Sequence, residues 1–431
     1  MEPAKPSLEL LRSLTDEHVL RALMRQPRVT RAELAAATGI SKPTVGESVR
    51  RLVAAGLVAD TGERTAGGRG RGRVGTYYAL AADVGFALAA SIAPEGIVAE
   101  CINAYGTVVS RADHPITRPA HSAAVAAALH AATTQAATMA LTVSGTPGTT
   151  SAPEASSNRE APSAPEAPKT SANPAVTADT VTPTHAAGGS GGPVRLAVVS
   201  AADPVDRATG RMVHLPDSPF LLGDLDPVAV LAPLVAGPVT VDNDVNWAAR
   251  AEANGLDDFA YLYLGEGLGC AVVSDGEVRR GHAGLAGEIA HLLTAGPDGQ
   301  AVSLIDVFGQ LGLRRPGTTA IDPARLLSAT MGPGSPAAAV RQAVATAVAG
   351  AIAAVVALAD PAQVILGGPW GHHPDLTAAI ASAVASLPRP VPVRAATLTA
   401  EPSLAGARSD ALLRLQTAIV TRAQATPGTQ R

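Results

Sequence analysis

Cysteine is almost missing from this chain. Its 431 residues include only Cys101 and Cys270, too few for a disulfide framework and wrongly spaced for a metal site. No charged-then-apolar leader precedes the first helical pattern. The most apolar run, Ala343 to Leu358, is short for a membrane span, rich in small residues and directly preceded by Arg341 and Gln342, so it reads as a buried core helix. These absences set the expectation of a cytoplasmic protein with no membrane partner, no metal and no cofactor. Net charge is also small, −4, but it is unevenly spread. Residues 1–80 carry 13 Lys+Arg against 8 Asp+Glu, and the remainder 20 against 29, so a head of +5 sits on a body of −9. That asymmetry suits a head that meets nucleic acid.

What is present is clearest between Thr30 and Val58. Thr30 can N-cap a short helix, with Glu33 at the capping-box spacing and Leu34 and Ala37 on its apolar side. Gly39 ends that helix, because glycine tolerates the left-handed turn. Ser41 can cap a second helix with Pro43 in its first turn. There Val45, Val49, Leu52 and Val53 form an apolar stripe, and Lys42, Thr44, Ser48 and Arg51 are read as the outward, DNA-facing set. A strand starting at Leu57-Val58 and another at Thr76 to Leu80 enclose Gly67-Gly68-Arg69-Gly70-Arg71-Gly72-Arg73. Strand, basic loop and strand after a helix-turn-helix make a wing, whose Arg69, Arg71 and Arg73 can reach phosphates or a narrow minor groove. A helix near Asp16 to Met24, with Val19, Leu20 and Leu23 inward, completes a three-helix head.

Beyond Leu80 strands and helices alternate, which argues for an α/β body. Strands are expected at 86–92, 97–102, 194–199, 239–241, 261–264, 271–273 and 364–366, and helices at 121–139, 337–358, 376–387 and 405–423. The stretch 144–192 is dominated by Ser, Thr, Pro, Ala and Gly and lacks apolar periodicity, so it reads as a disordered insertion. The expected boundaries are a head at 1–80, a body at 81–143 and 193–424, the insertion at 144–192 between its parts, and a disordered tail at 425–431.

Three stretches of the body can carry chemistry. Asp242-Asn243-Asp244-Val245-Asn246 follows a strand and opens a helix, where Asp244 is either a cap or a ligand group. Gly265-Glu266-Gly267-Leu268-Gly269 is a glycine-rich turn between strands. Gly284 to His291 places Glu288 and His291 three residues apart, about one helical turn. Each alone is a common pattern with an ordinary structural reading.

Taken in order, these motifs resemble the ROK family of repressors and sugar kinases, from about residue 15 to 424 without the insertion. The resemblance implies a winged helix-turn-helix head followed by an actin-like pair of α/β lobes with a sugar between them. Asn243 and Asp244 match the family's Asn-Asp pair on sugar hydroxyls, and Asp244 the general base of its kinases. Glu288 and His291 match its Gly-Glu-x-x-His sugar contacts, and Asp203 to Asp206, Gly265 to Gly269 and Val364 to Gly368 match further signatures.

The chain also departs from that pattern. Where the kinases have an Asp-x-Gly-Gly-Thr phosphate loop, the matching stretch is taken as Asp83-Val84-Gly85-Phe86-Ala87, with Phe86 and Ala87 unsuited to phosphate. Glu266 stands where the kinases usually have threonine. No cysteine follows His291 to complete the family's zinc site, and no glutamate occurs near Ser303 to Asp306 to complete its sugar site. The resemblance thus implies a DNA-binding regulator, expected to be a repressor, that senses a sugar or sugar phosphate and binds operator DNA as a homo-oligomer without being an enzyme. A sugar kinase and a ligand-independent DNA-binding dimer are the alternatives.

Overall fold

The computed structural model describes residues 8–65, 74–118, 120–144, 193–215, 220–331 and 334–425. Arg69, Arg71 and Arg73 of the expected wing lie outside them, as do 145–192 of the expected insertion and the tail from 426.

The head opens with α1 (Leu8–Leu23), followed by β1 (Val29–Thr30), α2 (Arg31–Thr38), α3 (Lys42–Ala54), β2 (Val58–Arg64) and β3 (Thr76–Leu80). Local chemistry sets these boundaries. The Thr30 hydroxyl accepts from the Glu33 N–H while the Glu33 carboxylate accepts from the Thr30 N–H at 2.7 Å, a complete capping box. Gly39 leaves α2 at φ 70°, and Ser41 caps α3 ahead of Pro43. β3 pairs antiparallel with both β1 and β2, forming a small winged sheet. Leu34, Val45, Val49 and Leu52 are buried with Val19, Leu20 and Leu23 of α1.

The body repeats one topology. Its first lobe contains β4 (Phe86–Ala93), β5 (Gly96–Ile102), β6 (Val108–Pro115), β7 (Ala120–His121), α4 (Ser122–Ser144), β8 (Val194–Ala201), β9 (Leu221–Leu222), α5 (Pro227–Leu231) and β10 (Val239–Asn243). After α6 (Asp244–Glu252), the second lobe holds β11 (Phe259–Leu264), β12 (Leu268–Ser274), β13 (Glu277–Val278), β14 (Leu293–Ala295), β15 (Ala301–Ser303), α7 (Leu304–Gln310), α8 (Pro323–Met331), α9 (Ser335–Ala359), β16 (Val364–Gly367), α10 (Pro374–Ala385) and β17 (Val393–Ala395). Each main sheet starts from an antiparallel meander and continues with two parallel strands beside its first strand: order β10-β8-β4-β5-β6 in the first lobe and β13-β12-β11-β16-β17 in the second.

The final helix, α11 (Pro402–Ala425), returns to the first lobe and packs on β4, β8 and α6. Its approach to α6 is close: a side chain at Gly406 would run into the Trp247 carbonyl. Farther along, α11 meets α1, where Gln424 donates to Glu17 at 3.2 Å. Head residues, the inner face of the first sheet and Leu404, Ala411, Leu415 and Ile419 of α11 form one continuous apolar core.

α9 is longer than its sequence pattern suggested and is long and apolar enough to cross a membrane. Half of its most apolar stretch is nevertheless buried, and Val344, Val348 and Ile352 pack in the second-lobe core with Phe308 and Trp370.

Candidate functional site

In the head, the exposed face of α3 is rotated from the expected one. Lys42 and Thr44 are exposed, as expected. Ser48 is fully buried and donates to Asp16 of α1 at 2.5 Å. Arg51 is turned the same way, donating to both Asp16 oxygens at 2.9 and 2.6 Å. Val53, expected inside, is 41% exposed, and Ala37 of α2 is exposed too. The physical cause is the spacing of Val45, Val49 and Leu52: position 48 lies one turn from both 45 and 52 and falls inside their stripe. The outward stripe therefore runs through Pro43, Glu47, Arg50 and Ala54. Arg50, missed in the sequence, is the basic group there, with a side chain 69% exposed and paired with the neighbouring Glu47. Val45, Val49 and Leu52, taken alone as the centre of the buried face, would have revealed it.

In the body, the first two strands of each lobe turn toward a common cleft. Asn243 ends β10 and N-caps α6, its Oδ1 accepting from the Val245 N–H at 3.0 Å and its Nδ2 donating to the Ala201 and Asp203 carbonyls at 3.4 and 3.3 Å. Asp244 is the first residue of α6 and also accepts from the Val245 N–H, at 2.8 Å. Glu288 and His291 are not on a helix: residues 281–292 form bends and turns. Gly284 and Gly287 have φ of 92° and 104°, and a side chain at Gly287 would collide with the Cys270 carbonyl of β12. These glycines press the loop onto the sheet in a backbone conformation that no helix allows. An ion pair from Arg280, just before this loop, to buried Asp242, 2.5 Å long, ties it to the end of β10.

The loop and α6 meet at a cavity of about 270 Å³ whose walls include Asn243, Asp244, Glu288 and His291, so all four expected ligand residues come together. Asp203 joins them, with Tyr263, Leu215, Phe220 and Ile305 supplying apolar wall. Asp203 belongs to a stretch singled out in the sequence; the apolar wall carried no signal there. Burial pushes Asp244 up to about 7, and the nearby charges of Asp203 and Glu288 add to the rise. Glu288 is raised by burial of its carboxyl and then by Asp203, but it keeps more of its surface in water than Asp244, so the effect is felt most at Asp244. Among the described residues no group of His, Cys, Asp or Glu has a metal-binding arrangement.

A second cavity of about 670 Å³ adjoins the first and shares Pro94, Glu95, Asp244, Tyr263 and Pro369 with it. This placement overturns the expected phosphate loop. Ala82–Val84 form a single 3₁₀ turn that Gly85 ends before β4, and Arg195 donates to the Asp83 carbonyl at 2.5 Å. It is the far end of β4, at the turn Ala93-Pro94-Glu95-Gly96, that faces the cleft. Pro94 has no N–H to offer a phosphate and Glu95 adds a negative charge, so a nucleotide phosphate does not fit this turn.

A winged head carried by two lobes of repeated topology around an acidic cleft defines a class: a helix-turn-helix domain joined to a sugar-kinase-like, actin-like body. Residues 12–59 match the winged helix-turn-helix DNA-binding domain, and residues 181–303 match the ROK family. The chain thus carries a ROK family domain behind a winged helix-turn-helix DNA-binding head. A ROK family transcriptional regulator described as a homologue of the E. coli MLC protein has the same fold over 96% of this chain and 100% of its own, with TM-score 0.57 and 16% identity. A ROK hexokinase from Thermus thermophilus aligns over 77% of this chain and 99% of its own, with TM-score 0.51 and 22% identity. A glucokinase from Halalkalibacterium halodurans is 41% identical over 69 residues, 15% of this chain; the match spans about a fifth of that relative's length, 21%.

Proposed function

We propose that this protein is a cytoplasmic DNA-binding transcriptional regulator, a repressor, whose body senses a sugar or sugar phosphate in the cleft between its lobes. The observation that carries the reading is the single apolar core joining the winged head to the first lobe and α11. A head built into the body in this way is suited to respond to it, and a kinase has no use for such a head. The structural likeness to a ROK transcriptional regulator over both chains supports the same reading.

Within the cleft, carboxylates that accept from hydroxyls face apolar walls that can cover the carbon skeleton of a ring. Asp244 and Glu288 bind hydroxyls, His291 adds a polar contact, and Asn243 acts chiefly by holding α6 against the Ala201 and Asp203 carbonyls. Lys42, Thr44 and Arg50 of α3, with Arg69, Arg71 and Arg73 of the wing, contact operator DNA as a homodimer on paired half-sites. Ligand shifts DNA affinity by binding one arrangement of the lobes better than the other.

The kinase alternative has one favourable observation, a half-buried Asp244 whose carboxyl is poised near neutrality to take a hydroxyl proton. Against it stand Pro94 and Glu95 at the turn where phosphates would lie. The decisive experiment combines sequencing of genomic DNA captured by the protein with anisotropy titration of the recovered sites in the presence of monosaccharides and their phosphates. Failure to bind any recovered site at low salt sinks the regulator reading, and sugar-dependent ATP turnover above background replaces it with the kinase.

A further inference from the structure

Glu266 sits at the tip of the β11–β12 hairpin, and its carboxylate is held from both sides. Arg118 donates to one oxygen at 2.5 Å and Arg315 to the other, also at 2.5 Å. The Glu266 side chain is only 16% exposed between them. The two guanidinium groups come from different lobes. Arg118 follows β6, and its Nε donates to the Pro94 carbonyl at 3.0 Å, on the cleft-facing turn of the first lobe. Arg315 belongs to a second-lobe loop whose Ile321 N–H donates to the Glu266 carbonyl at 2.9 Å. Glu266 also lines the smaller cavity, alongside Asp244, Glu288 and His291.

A carboxylate that gives one oxygen to each of two guanidinium groups occupies them as a phosphoryl group would. We propose that Arg118 and Arg315 form an anion clamp between the lobes that the chain fills with its own Glu266, and that the cleft consequently takes an unphosphorylated polyol. The ligand class rests on the sugar-sensing reading above, whereas the clamp itself does not. Among the described residues, no arginine or lysine lines the smaller cavity, whose other charged walls include Glu95, Asp203, Asp244 and Glu288. A phosphorylated ligand would have to expel Glu266 from its arginines and leave another anion among these carboxylates, at a desolvation and repulsion cost that an uncharged hydroxyl ligand avoids. The clamp also spans the lobes, through the path Pro94, Arg118, Glu266 and Arg315.

The test uses the full-length chain as wild type, Glu266→Ala, the near-isosteric Glu266→Gln and the double variant Glu266→Ala/Arg315→Ala. Each is titrated with inorganic phosphate against chloride at matched ionic strength, by calorimetry and thermal shift. Freeing two guanidinium groups should raise phosphate affinity by roughly tenfold or more in both single variants, and removing Arg315 should abolish the gain. Wild type that binds phosphate as tightly as the single variants, or folded single variants that gain nothing, overturns the clamp. A parallel panel of monosaccharides and their phosphates addresses ligand class. Stabilisation of wild type by a free sugar alone, with a response to its phosphate gained in Glu266→Ala, supports the proposal. Stabilisation of wild type by the phosphate alone overturns the ligand class while leaving sugar sensing intact. Response to neither overturns sugar sensing and with it the ligand class, and the phosphate titration still decides the clamp.

Discussion

Replacing Asp244 with asparagine should stabilise the protein in alkaline solution and have little effect near pH 4. The Asp244 carboxyl is raised from 3.8 to about 7, first because burial disfavours its charge and then because Asp203 and Glu288 are close. In the unfolded chain the proton leaves near the ordinary value, so between about pH 4 and pH 7 the folded protein holds a proton that the unfolded one has released. Folding stability must therefore fall as pH rises through that window, and the whole penalty is in place above it. At about 1.4 kcal/mol per pH unit the full displacement is worth about 4 kcal/mol, and water in the cleft reduces this to about 2–4 kcal/mol. Asparagine keeps the side-chain oxygen that accepts from the Val245 N–H at 2.8 Å but cannot ionise. Thermal denaturation of both proteins from pH 4 to 8.5 should show curves that separate with rising pH, by several degrees at roughly 2–4 °C per kcal/mol. A gap that is constant with pH, or a wild type that gains on the variant above pH 7, would refute the electrostatic reasoning.

Other perturbations probe the head and its support. Lys42→Ala and Arg50→Ala should each weaken DNA binding across sequences and lower the slope of log affinity against log salt by about 0.9 for each phosphate no longer neutralised, as read by anisotropy. Arg51→Ala should instead act through folding, because its bidentate partner Asp16 would lose its charge-assisted bonds inside the head; a loss of about 1–3 kcal/mol in denaturant unfolding is expected. Asp16→Ala should match it, and DNA binding by folded protein at low temperature should survive both. Gly406→Ala must push α11 away from the Trp247 carbonyl, so a destabilisation of about 1–3 kcal/mol should accompany a change in Trp fluorescence.

Much of the head was legible because its signals are local. The Thr30 capping box, the left-handed Gly39 and the Ser41 cap each act over three or four residues, and each appears where the sequence put it. The outward face of α3 differs from the sequence expectation because Ser48 falls inside the Val45, Val49 and Leu52 stripe, and its buried hydroxyl is then met by Asp16, 32 residues earlier in the chain. In the body, the grouping of Asn243, Asp244, Glu288 and His291 around one cavity followed from motif order. The supposed helix between Glu288 and His291 did not survive, although Gly284 and Gly287 already argued against it. The phosphate loop was placed one strand too early, since Asp83-Val84-Gly85 imitates a motif whose position is really taken by Pro94-Glu95. An eight-residue strand, Phe86–Ala93, separates the two, about 26 Å of chain. Glu266 was visible as a misplaced negative charge, but Arg118 and Arg315 lie 148 and 49 residues from it, beyond what any local pattern can pair.

The core shared by head and body bears on how such proteins can be recombined. Cutting after Leu80 would sever no secondary-structure element, yet it would expose Val84, Ala87, Ile102 and the α11 residues that pack with the head. A winged domain expressed alone would lose part of its own interior, and a grafted foreign head would meet a surface shaped for this one. Exchange of DNA specificity between relatives of this architecture is therefore better attempted by replacing the outward residues of α3 than by swapping whole domains.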